Sequence, residues 1–302
     1  MKIVQCVPNF SEGQDLDKVE KIVSCLKNKP GFKLVSYEPD PNYNRTVVTL
    51  LGEPYSIKNA VVEMVGLTTE LIDLNHHVGE HPRMGATDVI PFIPIRNITM
   101  EECCEIAKSC AKEINEKYDI PIFLYEEAAS NSDRVNLANI RKGQFEGMKE
   151  KIKLPEWYPD YGRPEIHPTA GAIAVGARFP LVAFNINLDT DNVEIANKIA
   201  KAIRYSNGGF RYIKAGPAEM KDKGIVQVTM NITNYQKTAI YRVFETVKME
   251  AKRYGVNVLG SEIIGLVPME ALVESLEYYL GLEGFNMNKV LESHLFDMDV
   301  EE

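Results

Sequence analysis

No run of about 18 uninterrupted apolar residues occurs in this 302-residue chain, so no segment reads as a membrane-spanning helix. No secretory leader is expected either. After one lysine the N-terminus passes straight into the strand pattern Ile3-Val4-Gln5-Cys6-Val7, without a long apolar stretch or a small-residue cleavage site. The expectation is a soluble cytoplasmic protein with no membrane partner. Basic excess is likewise absent: 34 Lys and Arg against 43 Asp and Glu give a formal charge of -9, which argues against a nucleic-acid partner. An anionic ligand would have to be met by locally placed arginines. The five cysteines include no C-x-x-C pair. Cys103, Cys104 and Cys110 fall in a helical pattern, with Cys6 in a strand and Cys25 in a helix, so reduced structural thiols are expected. Two further motifs are incomplete. Ser11 in Asn9-Phe10-Ser11-Glu12-Gly13 lacks a G-x-S-x-G elbow and reads as a turn or N-cap. Ser206-Asn207-Gly208-Gly209 lacks the Lys-Ser or Lys-Thr of a phosphate loop and reads as a turn.

What is present is a regular order of elements. A strand at about 2–7 leads to an amphipathic helix near 16–28, in which Val19, Ile22, Val23 and Leu26 recur at helical spacing. Strands follow at about 32–38 and 46–51 around the turn Pro39-Asp40-Pro41-Asn42, then a helix at about 57–73 with Ser56 as its N-cap. A strand over 89–95 carries Pro91 and Pro94, which suggest an edge or bulged path. Thr99-Met100-Glu101-Glu102 is a capping box that opens a helix to about 118, and Ile122–Tyr125 is a further strand. The β-α-β-β-α-β order is that of the ferredoxin-like fold. It recurs after a strand at 180–188, with a helix at 191–204, strands near 211–215 and 225–232, a helix at 239–254, a strand near 256–265 and a helix at 269–281. An α/β (α+β) protein of two such subdomains, 1–178 and 179–302, is therefore predicted. Between them, about 142–178 shows weak periodicity and reads as a long functional loop. Two open sheets facing one another would leave a ligand cleft.

The segment His76-His77-Val78-Gly79-Glu80-His81-Pro82-Arg83-Met84-Gly85-Ala86-Thr87-Asp88 holds three of the five histidines. Gly79, Pro82 and Gly85 discourage continuous helix, which places the imidazoles on a loop. His77 and His81 lie four apart, a metal-ligand spacing on a helix, but the glycine and proline break that helix, so no metal is expected. Solvated loop histidines are the plain alternative. Catalysis is favoured by the company: Glu80 and Asp88 can orient an imidazole, and Arg83 can grip an anion in bidentate fashion. Glu38, Asp40 and Arg45 flank a strand connection, where they are either solvated or placed to hold a cationic group. His294 reads as a surface residue.

These residues resemble the formiminotransferase-domain family. Cys6-Val7-Pro8-Asn9-Phe10-Ser11-Glu12-Gly13 looks like its opening signature and Asn44-Arg45-Thr46-Val47 like a second. Gly79-Glu80-His81-Pro82-Arg83-Met84-Gly85 with Asp88-Val89 is similar to the stretch carrying its catalytic histidine. Phe184-Asn185-Ile186-Asn187-Leu188 and Gly265-Leu266-Val267-Pro268 match its second half. The resemblance implies two ferredoxin-like subdomains facing across a folate-binding tunnel. It also implies transfer of a formimino group from N-formimino-L-glutamate to N5 of tetrahydrofolate, in histidine degradation. It puts catalysis on His81 and folate binding on Gly162, Arg163, Pro164, Glu165, Ile166, His167, Pro168, Thr169, Ala170 and Gly171. Glu38, Asp40 or Asp88 would stabilise the amidinium, and Arg45, Arg83, Arg163 or Arg178 would meet carboxylates of folate and glutamate. The expected oligomer is a homodimer. A stand-alone form is implied, with a separate cyclodeaminase as downstream partner. The alternatives are formyl transfer between 5-formyltetrahydrofolate and glutamate, use of formiminoglycine, or a catalytically silent folate-binding protein.

Overall fold

One interrupted strand opens the chain, β1 (Ile3–Cys6) and β2 (Asn9–Phe10), broken where Pro8 lacks an N–H to give to the sheet. The computed structural model describes residues 1–297, and the chain parts into two units between Arg178 and Phe179. In the first unit, α1 (Leu16–Ser24) starts where the Asp15 carboxylate accepts the Lys18 N–H at 3.1 Å. β3 (Phe32–Asp40), β4 (Arg45–Gly52), α2 (Pro54–Leu71) and β5 (Thr87–Arg96) follow. β3 pairs with β4, β4 with β1 and β2, and these with β5, all antiparallel. This is the ferredoxin-like strand order. α2 begins three residues earlier than expected: Pro54 takes the first helical position, and Glu53, not Ser56, caps it by accepting from the Tyr55 and Ser56 N–H groups.

β5 is central, which corrects the edge expectation. β1 and β2 pair on one side and β7 (Ile173–Ala177) lies parallel on the other. A proline withholds only its own N–H, and the Pro91 carbonyl still accepts from Val7 N–H at 3.4 Å. The bulged path is observed twice. Asn9 pairs with Val89 but Phe10 with Thr87, leaving Asp88 as an extra residue, and a similar shift leaves out Ile95.

α3 (Met100–Tyr118) opens with the expected capping box, Thr99 Oγ1 accepting from Glu102 N–H and the Glu102 carboxylate from Thr99 N–H. β6 (Ile122–Glu126) then pairs parallel with β7, which inserts between β6 and β5. The stretch 142–178 is therefore not structureless: it holds β7 and α5 (Gln144–Lys151), just after the short α4 (Leu137–Arg141). β6 and β7 are covered on both faces. Ile122, Leu124, Ile173 and Val175 join the core under α1, α2 and α3. Phe123, Tyr125, Ala172 and Ala174 pack on the other face with Ile140, Met148 and Ile152 from α4, α5 and beyond. A strand buried on both faces shows no apolar–polar alternation. Burying a side chain such as Phe123 is worth about 1.5–3 kcal/mol.

The second unit comprises β8 (Val182–Leu188), α6 (Val193–Ile203), β9 (Ile213–Met220), β10 (Ile225–Ile232), α7 (Ile240–Lys252), β11 (Val258–Ile264) and α8 (Met269–Leu280). Its antiparallel sheet runs β11-β8-β10-β9, the same order as the first unit's opening strands. β8 alternates strictly. Val182, Phe184, Ile186 and Leu188 enter the core, while Asn187 on the open face accepts from Gln227 Nε2 at 2.7 Å, and Gln227 also donates to Glu262 at 2.8 Å. Among the described residues no helix is long and apolar enough to cross a membrane. The five thiols are free, and burial pushes those of Cys25, Cys103 and Cys110 up to about 12.

Candidate active site

The loop over residues 72–86 joins α2 to β5, and buried Leu74 and Met84 anchor its two ends. It is stitched to the segment just before β7. Leu74 N–H donates to the Thr169 carbonyl at 2.9 Å, Asn75 Nδ2 to Pro168 at 3.0 Å, Ala86 N–H to Ala170 at 2.9 Å and Ala172 N–H to Met84 at 3.0 Å. Gly85 permits this closeness, because a Cβ there would collide with the Ala172 carbonyl. The structure thus joins the histidine loop to the 162–171 segment, about ninety residues later in the chain.

The loop's opposite side leans on the turn between β3 and β4. Asn44, in the left-handed region at φ +49°, accepts from Gly13 N–H at 2.9 Å and donates through Nδ2 to the Val78 carbonyl at 2.9 Å. Glu80 N–H donates to Asn42 at 3.2 Å, and a Cβ on Gly79 would lie 2.5 Å from the Tyr43 carbonyl. His77 is consumed by this architecture. Its Nδ1 accepts from Arg83 Nε at 3.2 Å, so the ring proton sits on Nε2, which donates to the Asn44 carbonyl at 2.8 Å. Arg83, buried, is equally committed: Nη1 and Nη2 make a bidentate pair with Glu146, and Nη1 also reaches Gln144. Its donors hold the loop to α5.

His81 differs. It is half-buried, its ring meets Tyr43 edge-on at 6.3 Å and 72°, and no hydrogen bond among the described residues engages its imidazole. Burial, together with the nearby Arg45 and Arg141 guanidiniums and in spite of Asp88, pushes its pKa down to about 4. At neutral pH it is a free base. Asp88, the bulge residue of β5, is buried and doubly used: Oδ1 accepts the Met84 N–H at 2.8 Å and Oδ2 pairs with Arg141. It therefore braces Arg141 and the loop. Glu80 is exposed.

The remaining predicted residues are scattered. Asp40 shapes the turn by accepting from the Asn42 and Tyr43 N–H groups, while Glu38 is exposed on β3. Ser11 donates to the Gly85 carbonyl at 2.8 Å, a tie across the unit to the end of the His81 loop, and Asp15 caps the following helix. His76 is exposed beside Asp73. Within 162–171, Arg163 pairs with Asp119, and these with Tyr118, Ile166, His167 and Pro168 line a depression of about 260 Å³. His167 Nδ1 accepts the Ala170 N–H at 3.0 Å, and burial lowers its pKa. Among the described residues no three His, Cys, Asp or Glu side chains form a group that could hold a metal.

Sequence reasoning missed Arg141, Tyr43 and Lys151. Lys151 donates to the carbonyls of Asn139, Ile140 and Lys142, closing the last turn of α4 around Arg141, and its ammonium lies 3.7 Å from the Trp157 ring centroid. No local signal marks Tyr43 or Arg141, because His81 and Asp88 are remote from them in the chain, and Lys151 acts across the break between α4 and α5, which no periodicity shows.

Known proteins supply the rest of the identification. The family model described as formiminotransferase domain, N-terminal subdomain, matches residues 3–178, and that described as formiminotransferase domain matches 183–301. A Streptococcus pyogenes protein named glutamate formimidoyltransferase is 55% identical over 97% of this chain and 99% of its own. A Thermoplasma acidophilum protein of the same name is 46% identical, with 97% of each chain covered. A Dictyostelium discoideum formimidoyltransferase-cyclodeaminase is 40% identical over 97% of this chain but only 56% of its own. With a histidine held as a free base in a loop that both halves of its own unit clamp, and with matches along nearly its full length, the chain belongs to the formiminotransferase domain family.

Proposed function

We propose that this protein transfers a formimino group from N-formimino-L-glutamate to N5 of tetrahydrofolate, releasing L-glutamate. The observation that carries the reading is His81, neutral and uncommitted beside guanidinium groups, in a chain whose relatives bear the name glutamate formimidoyltransferase. N5 attacks the formimino carbon and gives a tetrahedral adduct. His81 takes the N5 proton and returns it to the departing glutamate nitrogen, so one imidazole serves both halves of the exchange with no net change of protons. Tetrahydrofolate is a co-substrate, met in this reading by residues 162–171, which share hydrogen bonds with the His81 loop. A homodimer working in the cytoplasm is part of the same proposal, and light scattering tests its first half.

The test is turnover. N-formimino-L-glutamate, N-formyl-L-glutamate and N-formiminoglycine are offered side by side with tetrahydrofolate, and the first should be used best. His81→Ala should lower kcat about 10²- to 10⁴-fold, the range for losing a positioned acid–base group, with folate affinity within a few-fold by calorimetry. Tight folate binding by wild type without turnover of any donor would leave a silent folate-binding protein. Normal kcat in His81→Ala would put the proton transfer on another group.

A further inference from the structure

Tyr43 links Arg45 to His81, its ring lying 5.5 Å from the Arg45 guanidinium carbon and 6.3 Å from the imidazole, while Arg141 is held by Asp88 at the end of the His81 loop. The side chain of Arg45, first residue of β4, makes no hydrogen bond or ion pair among the described residues and buries its Nε without a partner. Arg141, last residue of α4, pairs with Asp88 through Nη2 alone, and its buried Nε is also unpartnered. The charges of both lower the His81 pKa, and burial followed by Arg141 pulls the Arg45 pKa down. Two cations therefore share surroundings with one engaged carboxylate, since Asp88 spends one oxygen on Met84 N–H and the other on Arg141. The second local carboxylate, Asp40, uses Oδ1 on turn amides. Crowding like charges out of water is costly unless an anion arrives.

Resting on the donor assignment above, we propose that Arg45 and Arg141 together receive the α-carboxylate of the formimino amino acid and so aim its formimino carbon at His81. The choice of carboxylate follows from the ligand. Only the nitrogen and Cα separate the α-carboxylate from the formimino carbon, whereas the γ-carboxylate lies further along the side chain. Guanidiniums adjacent to the proton shuttle suit the nearer group, and a carboxylate offers one oxygen to each. Arg83 is unsuited because its nitrogens already hold His77, Gln144 and Glu146. The pair would thus select an α-amino acid donor, with the γ-carboxylate read elsewhere.

The experiment measures KM for each substrate in wild type, Arg45→Met, Arg141→Met and Arg141→Lys. Losing one charge-assisted pair should raise KM for N-formimino-L-glutamate about 10- to 100-fold, with KM for tetrahydrofolate within a few-fold and partial recovery in the lysine variant. Amide analogues identify the carboxylate. Wild type should be penalised by amidation of the α-carboxylate, and that penalty should shrink in Arg45→Met, while the cost of γ-amidation stays the same in both. Arg45 has no ion-pair partner to strand, so Arg45→Met remains informative if Arg141→Met fails to fold. An Arg45→Met enzyme with unchanged donor KM, a rise confined to tetrahydrofolate, or an undiminished α-amide penalty overturns the inference. Wild type that ignores N-formimino-L-glutamate overturns the donor assignment instead.

Discussion

At the scale of single residues, three histidines of one short segment take three different parts, decided in large part by partners outside the segment. His77 is locked between Asn44 and Arg83, His76 is exposed, and His81 is left free at a site that disfavours its charge. The density of histidine and glycine made the segment legible as a site. The division of labour was not legible, because the groups that commit His77 and Arg83 include Asn44 and Glu146, far off in the chain. The pH dependence follows. With its pKa lowered from 6.5 to about 4, His81 remains a base as pH falls through 6.5, so kcat/KM should stay level there and decline only toward 4. Unfolding restores the higher value, so the unfolded chain takes up the proton first and the fold loses stability as pH drops across that window. An acid limb centred on 6.5 in kcat/KM would mean that burial and the arginines do not act on His81 as described. Arg45→Met should move the limb upward.

Among the elements, those with a one-sided core were readable, and those outside that pattern were not. β8 and β10 announce themselves by alternation or by a bounded apolar run, and α3 by its capping box. β7, five buried residues in Ile173-Ala174-Val175-Gly176-Ala177, lacks any period and hid within a stretch read as loop. For β5 the prolines suggest an edge or a bulged path, and the second holds: two bulges and a working Pro91 carbonyl keep the strand central. α4 is the element on which the site depends most. At five residues it cannot hold itself, and Lys151, whose pKa burial lowers to about 8, ties down the carbonyls beside Arg141. Lys151→Ala should therefore behave as a weaker Arg141 variant, raising donor KM by about 3- to 10-fold as one charge-assisted bond network is lost, with kcat near wild type. Unchanged KM in steady-state assays would show that α4 keeps its shape without the lysine.

Over the whole molecule, a charge of -9 coexists with a site rich in arginine, which shows that net charge describes a surface and not its pockets. The two units have separate apolar cores: that of the second draws only on residues 182–271, and those of the first on residues 4–177. Such an arrangement need not melt as one. Calorimetry should give a van't Hoff enthalpy below the calorimetric one, and Ile199→Ala, which deletes buried methyl groups of α6 at about 2–5 kcal/mol, should lower the transition of its own unit first. A single transition with equal enthalpies would refute independent melting.

The stitching of the His81 loop to residues 168–172 also dictates an order of events during synthesis. Leu74 and Ala86 donate to carbonyls of residues 169 and 170, so the loop has no fixed frame until those carbonyls have left the ribosome and the intervening chain has closed on itself. The nascent chain should carry its sheet before it carries a catalytic loop. In refolding followed by pulsed hydrogen exchange, amides within β3 and β4 should become protected before those of Leu74 and Ala86. Simultaneous protection would mean that the loop is framed by its local turn alone.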